Sequence, residues 1–336
     1  MMKWLFAVLL MTFALPGCQE SSREAEVSGE TQGATYHIKL VLDNAPTSLE
    51  EIRSQVSATL SEIDAQLSNN REDSEISRIN RLEMTTWLPV SHEIAKLAGI
   101  AHTVYELSDG CYDLTVKPLS DLWGSSRHEN RVPTQDEIDA VLPHVGMSLL
   151  VVDEVNQRIR KKDPKLKIDL SSIAQGYSVG MVARNLEALG INNYWVEIGG
   201  EIMVKGRQAN GHHWSIVMGT PIPLTLELQR IVYNREQSGV AVMKAGTYRN
   251  FFEVNGQAYS HILNPKTGRP VTHHLRSVTV IHDDPIWADA WGTALNCVGE
   301  QEAARIAEAE QLKVLLIYDG DSKLTEHVSK AFAAMQ

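Results

Sequence analysis

Cysteine is scarce in this chain, with three in 336 residues, at positions 18, 111 and 297. None stands in a C-x-x-C or other paired metal-ligand spacing, which excludes a disulfide-rich scaffold and a cysteine-built metal site. One disulfide between Cys111 and Cys297 is arithmetically open, and nothing in the sequence requires it. Positive charge is scarce as well: 31 Lys and Arg stand against 42 Asp and Glu. Nucleic acid is therefore not an expected partner, because phosphate binding needs clustered cations. The loop G-x-x-x-x-G-K-[ST], the fingerprint G-x-G-x-x-G, the zinc-protease motif H-E-x-x-H and the nucleophile elbow G-x-S-x-G are all missing. The chemistries built on them have no foothold. There is also no fixed-period repeat and no low-complexity tract.

What is present begins with an apolar leader. Residues 1–17, "MMKWLFAVLLMTFALPG", carry one lysine and then an apolar run too short for a comfortable membrane span, the pattern of a secretory signal. It ends in "LPGC", which resembles the lipobox of bacterial lipoproteins, so Cys18 is expected to be lipidated and to anchor the protein to a membrane on its periplasmic side. Gln19 rather than Asp after that cysteine favours the outer membrane. Residues 18–30 are polar without apolar period and read as a flexible tether. Residues 31–336 are then long enough to bury a core without staples, as a single domain.

Along that domain, "TYHIKLVLD" alternates and reads as the first strand, with Tyr36, Ile38, Leu40 and Leu42 on one face. Leu49, Ile52, Val56, Leu60, Ile63 and Leu67 follow at helical spacing behind a capping box of Ser48 and Glu51. A second helix runs from about Ser91 to Leu107, a short acidic one follows in "TQDEIDAVLPHV", and "SLLVVDEVNQRIRKK" reads as two strands around a turn. The helix after "DLSS" carries Ile173, Tyr177, Met181, Val182, Leu186 and Leu189, and Gly190 stops it. Ser172 and Gln175 fit a capping box at its start. Many short strands follow, in "YWVEI", "EIMVKG", "HWSIVMGT", "LTLELQRIVY", "FFEVNGQAYSHILN" and "RSVTVIH". A helix in "DDPIWADAWGTALNCVG" has Asp284 as N-cap, Pro285 at its first position and Gly299 as its stop. A further helix, the strand "KVLLIYDG" and a short helix close the chain. Helices and runs of antiparallel strands in this order imply an α+β fold.

On that last long helix, Asp289 and Thr293 stand four apart and share a face, offering two oxygens to a hard cation such as Mg²⁺. Alone, such a pair is better explained by a hydrogen bond on the helix surface, and it matters only if other oxygens converge on it. His261 ends a strand before the Pro265–Gly268 turn and reads either as a base or as a hydrogen-bonded core residue. The pairs His212–His213 and His273–His274 read as solvated turn residues, since neighbours on a strand point to opposite faces.

In order along the chain, "GETQGATYHI", "DSEISRIN", "DGCYDLTVKPLSDLWG", "KIDLSSIAQGY", "VEIGGEI", "GTYRNFFEVNG", "SHILNPKTGRPV", "SVTVI" and "ADAWGTALNCVG" resemble the ApbE family of flavin transferases. The resemblance implies an α+β fold of antiparallel sheets packed with helices, two-lobed and T-fold-like. It also implies Mg²⁺-dependent transfer of FMN from FAD to a threonine or serine of a target protein, with release of AMP. The targets it implies are exported or membrane redox proteins. By the same resemblance Asp289, Thr293 and the Ser172 carbonyl hold the ion. Gln32, Asn70, Cys111, Tyr112, Asp113, Asp169, Gln175 and Leu263 surround FAD, and His261 takes the acceptor proton. Two departures stand out. Relatives often read "ADAWDT" where this chain has Gly292, and an aromatic where it has Asn70. The alternatives these departures leave are an FAD pyrophosphatase giving FMN and AMP, and a non-catalytic FAD-binding lipoprotein.

Overall fold

The computed structural model describes residues 23–42, 47–124, 131–218, 230–233, 239–246, 251–254, 256–321 and 323–335. The leader, Cys18, the start of the tether and parts of "LTLELQRIVY" and "GTYRN" lie outside them. The strands are β1 Arg23–Thr31, β2 Ala34–Leu42, β3 Trp87–Pro89, β4 Leu150–Asp153, β5 Arg158–Lys161, β6 Tyr194–Ile198, β7 Glu201–Lys205, β8 Ser215–Met218, β9 Arg230–Tyr233, β10 Val240–Gly246, β11 Phe251–Val254, β12 Gln257–Ser260, β13 Leu263–Asn264, β14 Arg269–Pro270, β15 Leu275–His282, β16 Lys313–Asp319 and β17 Leu324–Val328. The helices are α1 Leu49–Leu67, α2 Glu75–Arg81, α3 His92–Leu107, α4 Lys117–Leu122, α5 Gln135–Val141, α6 Ser171–Ala188, α7 Pro285–Val298, α8 Glu300–Ala309 and α9 Lys330–Ala333.

Eight strands make one antiparallel sheet in the order β1-β2-β6-β7-β10-β15-β16-β17. Its two faces are both covered, and the alternation of side chains along each strand divides them. Ile38, Leu40, Val278, Val280, Val314 and Leu316 face the main core beneath α1, α3, α6 and α7. Val41, Ile202, Val204, Leu315 and Ile317 face a smaller core with Trp214, Ile216 and Phe332. A second small sheet, β3-β5-β4, lies beside α3. The fold is thus α+β with antiparallel sheets, as the strand and helix pattern implies. No helix among the described residues is long and apolar enough to cross a membrane.

Two sequence expectations are corrected here. The tether expected over residues 18–30 is a strand from Arg23 onward, hydrogen-bonded along its length to β2, so "TYHIKLVLD" is the second strand and not the first. Only Val27 and the half-buried positions of this edge strand meet the core, so it shows almost no apolar alternation. The capping box at Ser172 and Gln175 is not formed. Leu170 occupies the N-cap position of α6 without a side-chain bond, and the Asp169 carboxylate accepts the Ser171 N–H at 3.0 Å instead. Elsewhere the caps agree: Ser48 accepts from Glu51, Asp284 accepts from Ile286, and Gly190 follows α6 with φ 82°.

Candidate active site

Where α6 and α7 cross the sheet beside the loop after α3, the fold leaves a cavity of about 520 Å³. It is lined by Gln32, Cys111, Tyr112, Asp113, Asp169, Ser172, Gln175, His261, Leu263, Asp289 and Thr293, which are the sequence-predicted site residues with one exception. The exception is Asn70. It is exposed on the turn after α1 and is not among the lining residues; its neighbour Asn69 reaches inward instead.

The two helices approach so closely because α6 carries glycine at the crossing. A Cβ on Gly176 would lie 2.4 Å from the Pro285 carbonyl and 2.6 Å from the Asp289 Cβ, and one on Gly180 would meet the Pro285 ring at 2.9 Å. With no side chain in the way, the Gly176 N–H donates to Asp289 Oδ2 at 2.7 Å. Burial pushes the Asp289 carboxyl up to about 7, and that single N–H acts in the opposite direction. Thr293 lies one turn further along α7 and also lines the cavity, as does Ser172.

Carboxylate, hydroxyl and carbonyl oxygens are the donor set of a hard cation. Among the described residues no three His, Cys, Asp or Glu side chains cluster as a metal set. An ion at Asp289 would therefore complete its shell with hydroxyl, carbonyl, water or substrate oxygens. That suits Mg²⁺, which characteristically takes one or two carboxylates plus phosphate.

Around this pair the other residues are held by specific bonds. The Tyr112 hydroxyl donates to the Ser172 carbonyl at 3.4 Å and receives the Ser172 hydroxyl proton at 3.3 Å. Burial pushes the Tyr112 phenol far above its ordinary range, so it is a neutral donor and not a base. Asp113 caps the short turn Leu114–Val116, taking the Thr115 N–H and hydroxyl at 2.6 Å each, and also takes the Met147 N–H at 3.1 Å. Burial raises it to about 6, and its bonds mark it as a holder of the turn. Asp169 takes Asn69 Nδ2 at 2.9 Å, and Asn69 in turn receives a bond from Asn80, whose amide pairs with both backbone groups of Ile168.

Gln32, at φ 52°, donates to Ser178 Oγ of α6 at 2.7 Å. The Gln175 amide packs on Gly199, where a Cβ would stand 2.5 Å from its Nε2 and where φ is 64°, so glycine is required twice over. Leu263 belongs to a small cluster with Leu119, Trp123 and Ile138, and the Trp123 Nε1 donates to the Gly268 carbonyl at 2.8 Å. Cys111 and Cys297 are joined in a disulfide with Cα atoms 5.8 Å apart.

The ApbE family model matches residues 32–316. The chain belongs to the ApbE family. It is 35% identical over 334 residues to the FAD:protein FMN transferase of Vibrio cholerae, covering 99% of this chain and 98% of that one. The FAD:protein FMN transferase of Haemophilus influenzae is 34% identical over 96% of this chain and 94% of its own. Among solved structures, the V. cholerae flavin transferase ApbE superposes with a TM-score of 0.86 at 34% identity, covering 93% of this chain and 99% of that chain. The apo form of the Pseudomonas stutzeri flavinyl transferase ApbE gives 0.85 at 33% identity, over 94% and 97%.

Within this ApbE chain, sequence reasoning missed Gly176 and Glu201. The spacing "GYSVG", two glycines four apart inside a helix, is the available signal for the first. Glu201, 6% exposed on β7, lines the cavity and takes the Lys244 N–H at 2.9 Å; an acid inside an apolar strand is its signal. Gly292 is not crowded: a Cβ there would meet Ala245 Cβ at 3.6 Å, an ordinary contact. His273 departs from the solvated reading. It is half-buried against Gly299, its Nδ1 accepts the Leu275 N–H, and burial lowers its pKa.

Proposed function

We propose that this chain is an FAD:protein FMN transferase, moving FMN from FAD to a serine or threonine hydroxyl of a protein and releasing AMP. The observation that carries the reading is the placing of Asp289, Thr293 and Ser172 on one cavity at the crossing of α6 and α7. Splitting a pyrophosphate moves negative charge onto its oxygens, and a Mg²⁺ ion held there would stabilise that charge more in the transition state than in the ground state. Asp289 and Thr293 would hold the ion, with the Ser172 carbonyl as a further oxygen.

The chain's own groups do the remaining work. Gly176 fixes the Asp289 carboxylate through its N–H. The start of α6, with Ser171 and Ser172 on the cavity, would bring the positive end of the helix dipole to the anion, its Ser171 N–H held by Asp169 and its Ile173 and Ala174 N–H groups by the Leu170 carbonyl. Asp169 and Gln175, each held by a bond or a close contact, orient the nucleotide, and His261 at the rim accepts the proton of the incoming hydroxyl. FAD hydrolysis is the rival reading, and it leaned on an aromatic lost at Asn70. What favours transfer is the likeness to relatives that are FAD:protein FMN transferases.

The acceptors we propose are exported or membrane redox proteins, with the enzyme anchored through a lipid on Cys18 on the periplasmic side, the outer membrane being favoured. Because β1 starts at Arg23, four residues separate it from Cys18. Fully extended, these span about 14 Å. The body would thus stay close to the lipid surface. Incubation with FAD, Mg²⁺ and a threonine-bearing target fragment tests the function. AMP together with an FMN mass increment on the target is expected; AMP with free FMN only would make it a hydrolase, and tight FAD without AMP a binder.

A further inference from the structure

Three segments build the working half of the cavity, and besides their shared packing each pair of them carries a specific tie. The run from Cys111 to Asp113 meets the start of α6 through the Tyr112–Ser172 contacts at 3.3 and 3.4 Å. Helix α6 meets α7 through the Gly176 N–H on Asp289 at 2.7 Å. Helix α7 returns to the first segment through the disulfide of Cys297 with Cys111. Two of these ties are hydrogen bonds, and one of those is long. The covalent one closes the ring.

Its position is specific. Cys297 stands one turn beyond Thr293, as Thr293 stands one turn beyond Asp289, and all three line the cavity. Cys111 directly precedes Tyr112 and follows a tight turn in which Asp109 and Gly110 have φ of 50° and 74°. The crosslink therefore sets the distance between the metal-bearing face of α7 and the Cys111–Asp113 wall. It joins residues 186 apart in sequence, so no local chain connection duplicates it. The two sulfurs also differ in access: Cys111 is partly exposed on the cavity wall, whereas Cys297 is 3% exposed.

We propose that the Cys111–Cys297 disulfide is a positioning crosslink of the flavin-transfer site, and that Cys111 Sγ is the point at which a dithiol reductant opens it. The inference rests on the transfer reading of the cavity. A thiolate of the reductant attacks Cys111 Sγ, the S–S bond breaks, and its electron pair passes to Cys297 Sγ, which takes a proton. The second thiolate of the reductant then displaces Cys111. The products are two protein thiols and the oxidised reductant, a balance of two electrons and two protons. Opening leaves the hydrogen bonds and the packing of Tyr112 and Leu114 in the main core, so the Cys111–Asp113 wall is free to shift against the face of α7 that carries Asp289 and Thr293.

The test compares the purified oxidised protein with the same protein reduced by dithiothreitol, its thiols counted, and with the double variant Cys111→Ala/Cys297→Val. FAD affinity is read by flavin fluorescence, alongside KM for FAD, half-saturating Mg²⁺ for AMP release, and circular dichroism as a check on folding. Reduction is expected to weaken FAD binding and raise half-saturating Mg²⁺ by about tenfold with the dichroism unchanged, and reoxidation to restore both. The double variant should match the reduced form; should it not fold, the reduced protein decides alone. If two free thiols are present and both affinities stay within about twofold while only the melting temperature falls, the crosslink is a staple and the proposal is overturned. A disulfide that opens only in denaturant overturns the assignment of Cys111 as the point of attack. FAD affinity is measured without turnover, so an oxidised protein that binds FAD yet moves no FMN overturns the transfer reading and leaves the crosslink to be judged on binding.

Discussion

Lys161 and Asp289 are both shifted in pKa by burial, and their surroundings are opposite. Lys161 on β5 is fully buried, and its ammonium donates at 2.8 Å to each of the carbonyls of Ile79 and Leu82, closing the last turn of α2. Burial lowers its pKa to about 8. Asp289 sits in a cavity wall with one N–H as its donor among the described residues, and burial raises its pKa to about 7. The lysine meets two carbonyls at a helix end, of which that of Ile79 also takes the Leu82 N–H at 3.2 Å, so its charge serves the fold. The carboxylate is held in place but left with acceptor capacity toward the cavity, the condition of a group that meets a ligand. The charge bonded within the fold serves structure, and the carboxylate with open acceptor capacity is the one we propose meets a ligand.

Substitution at each site should separate the two roles. Asp289→Ala is expected to lower AMP release by about a hundredfold or more, since a metal-held transition state loses its anchor. Thermal unfolding should leave its stability unchanged or higher, because a desolvated carboxylate is gone. Lys161→Met should do the reverse, leaving kcat/KM intact and costing about 2–4 kcal/mol in urea unfolding, as two carbonyls lose their donor.

The lysine also predicts a pH effect. Its folded value of about 8 lies below the ordinary 10.5, so the unfolded chain holds the proton more tightly between them. Its cost to stability is complete below pH 8 and is relieved as pH climbs towards 10.5. The methionine variant should lack that rise, and an identical slope in both proteins would remove the assignment.

Smaller effects sharpen the contrast further. Gly176→Ala pushes a methyl into the Pro285 carbonyl and should cost about 1–3 kcal/mol while also disturbing Asp289 and hence turnover. A variant as stable and as active as the parent would show that the helices are free to separate. The smallest change is expected at Asn70→Tyr. From an exposed turn outside the cavity wall, it should alter FAD affinity by no more than about twofold, measured by fluorescence titration.

The contrast also explains what was legible in the sequence. Helices α1, α3 and α7 announce themselves by apolar spacing and by caps, and α6 by apolar spacing and the Gly190 stop, because each buries one face and must satisfy its ends. The edge strands β1 and β17 and the three-residue β3 do not, since edge positions are half exposed and carry little alternation. Asp289 and Thr293 were visible as a helical pair, but the partner that holds Asp289 is a backbone N–H on another helix, which no side-chain pattern records. The Cys111–Cys297 pairing depends on a distance between residues 186 apart, and the role of Lys161 depends on two carbonyls contributed by a distant turn. Asn70 is exposed on the turn after α1, while its neighbour Asn69 reaches Asp169 on the cavity wall, a choice between adjacent residues that turn geometry makes and residue type does not.

The most direct test of the account is the Mg²⁺ dependence of AMP release at saturating FAD and target, measured for the parent and for Asp289→Ala. The account predicts saturable activation by Mg²⁺ in the parent, abolished by chelator, and a variant that binds FAD but stays inactive at every Mg²⁺ concentration. Undiminished AMP release from the variant, or from the parent with Mg²⁺ chelated, would contradict it.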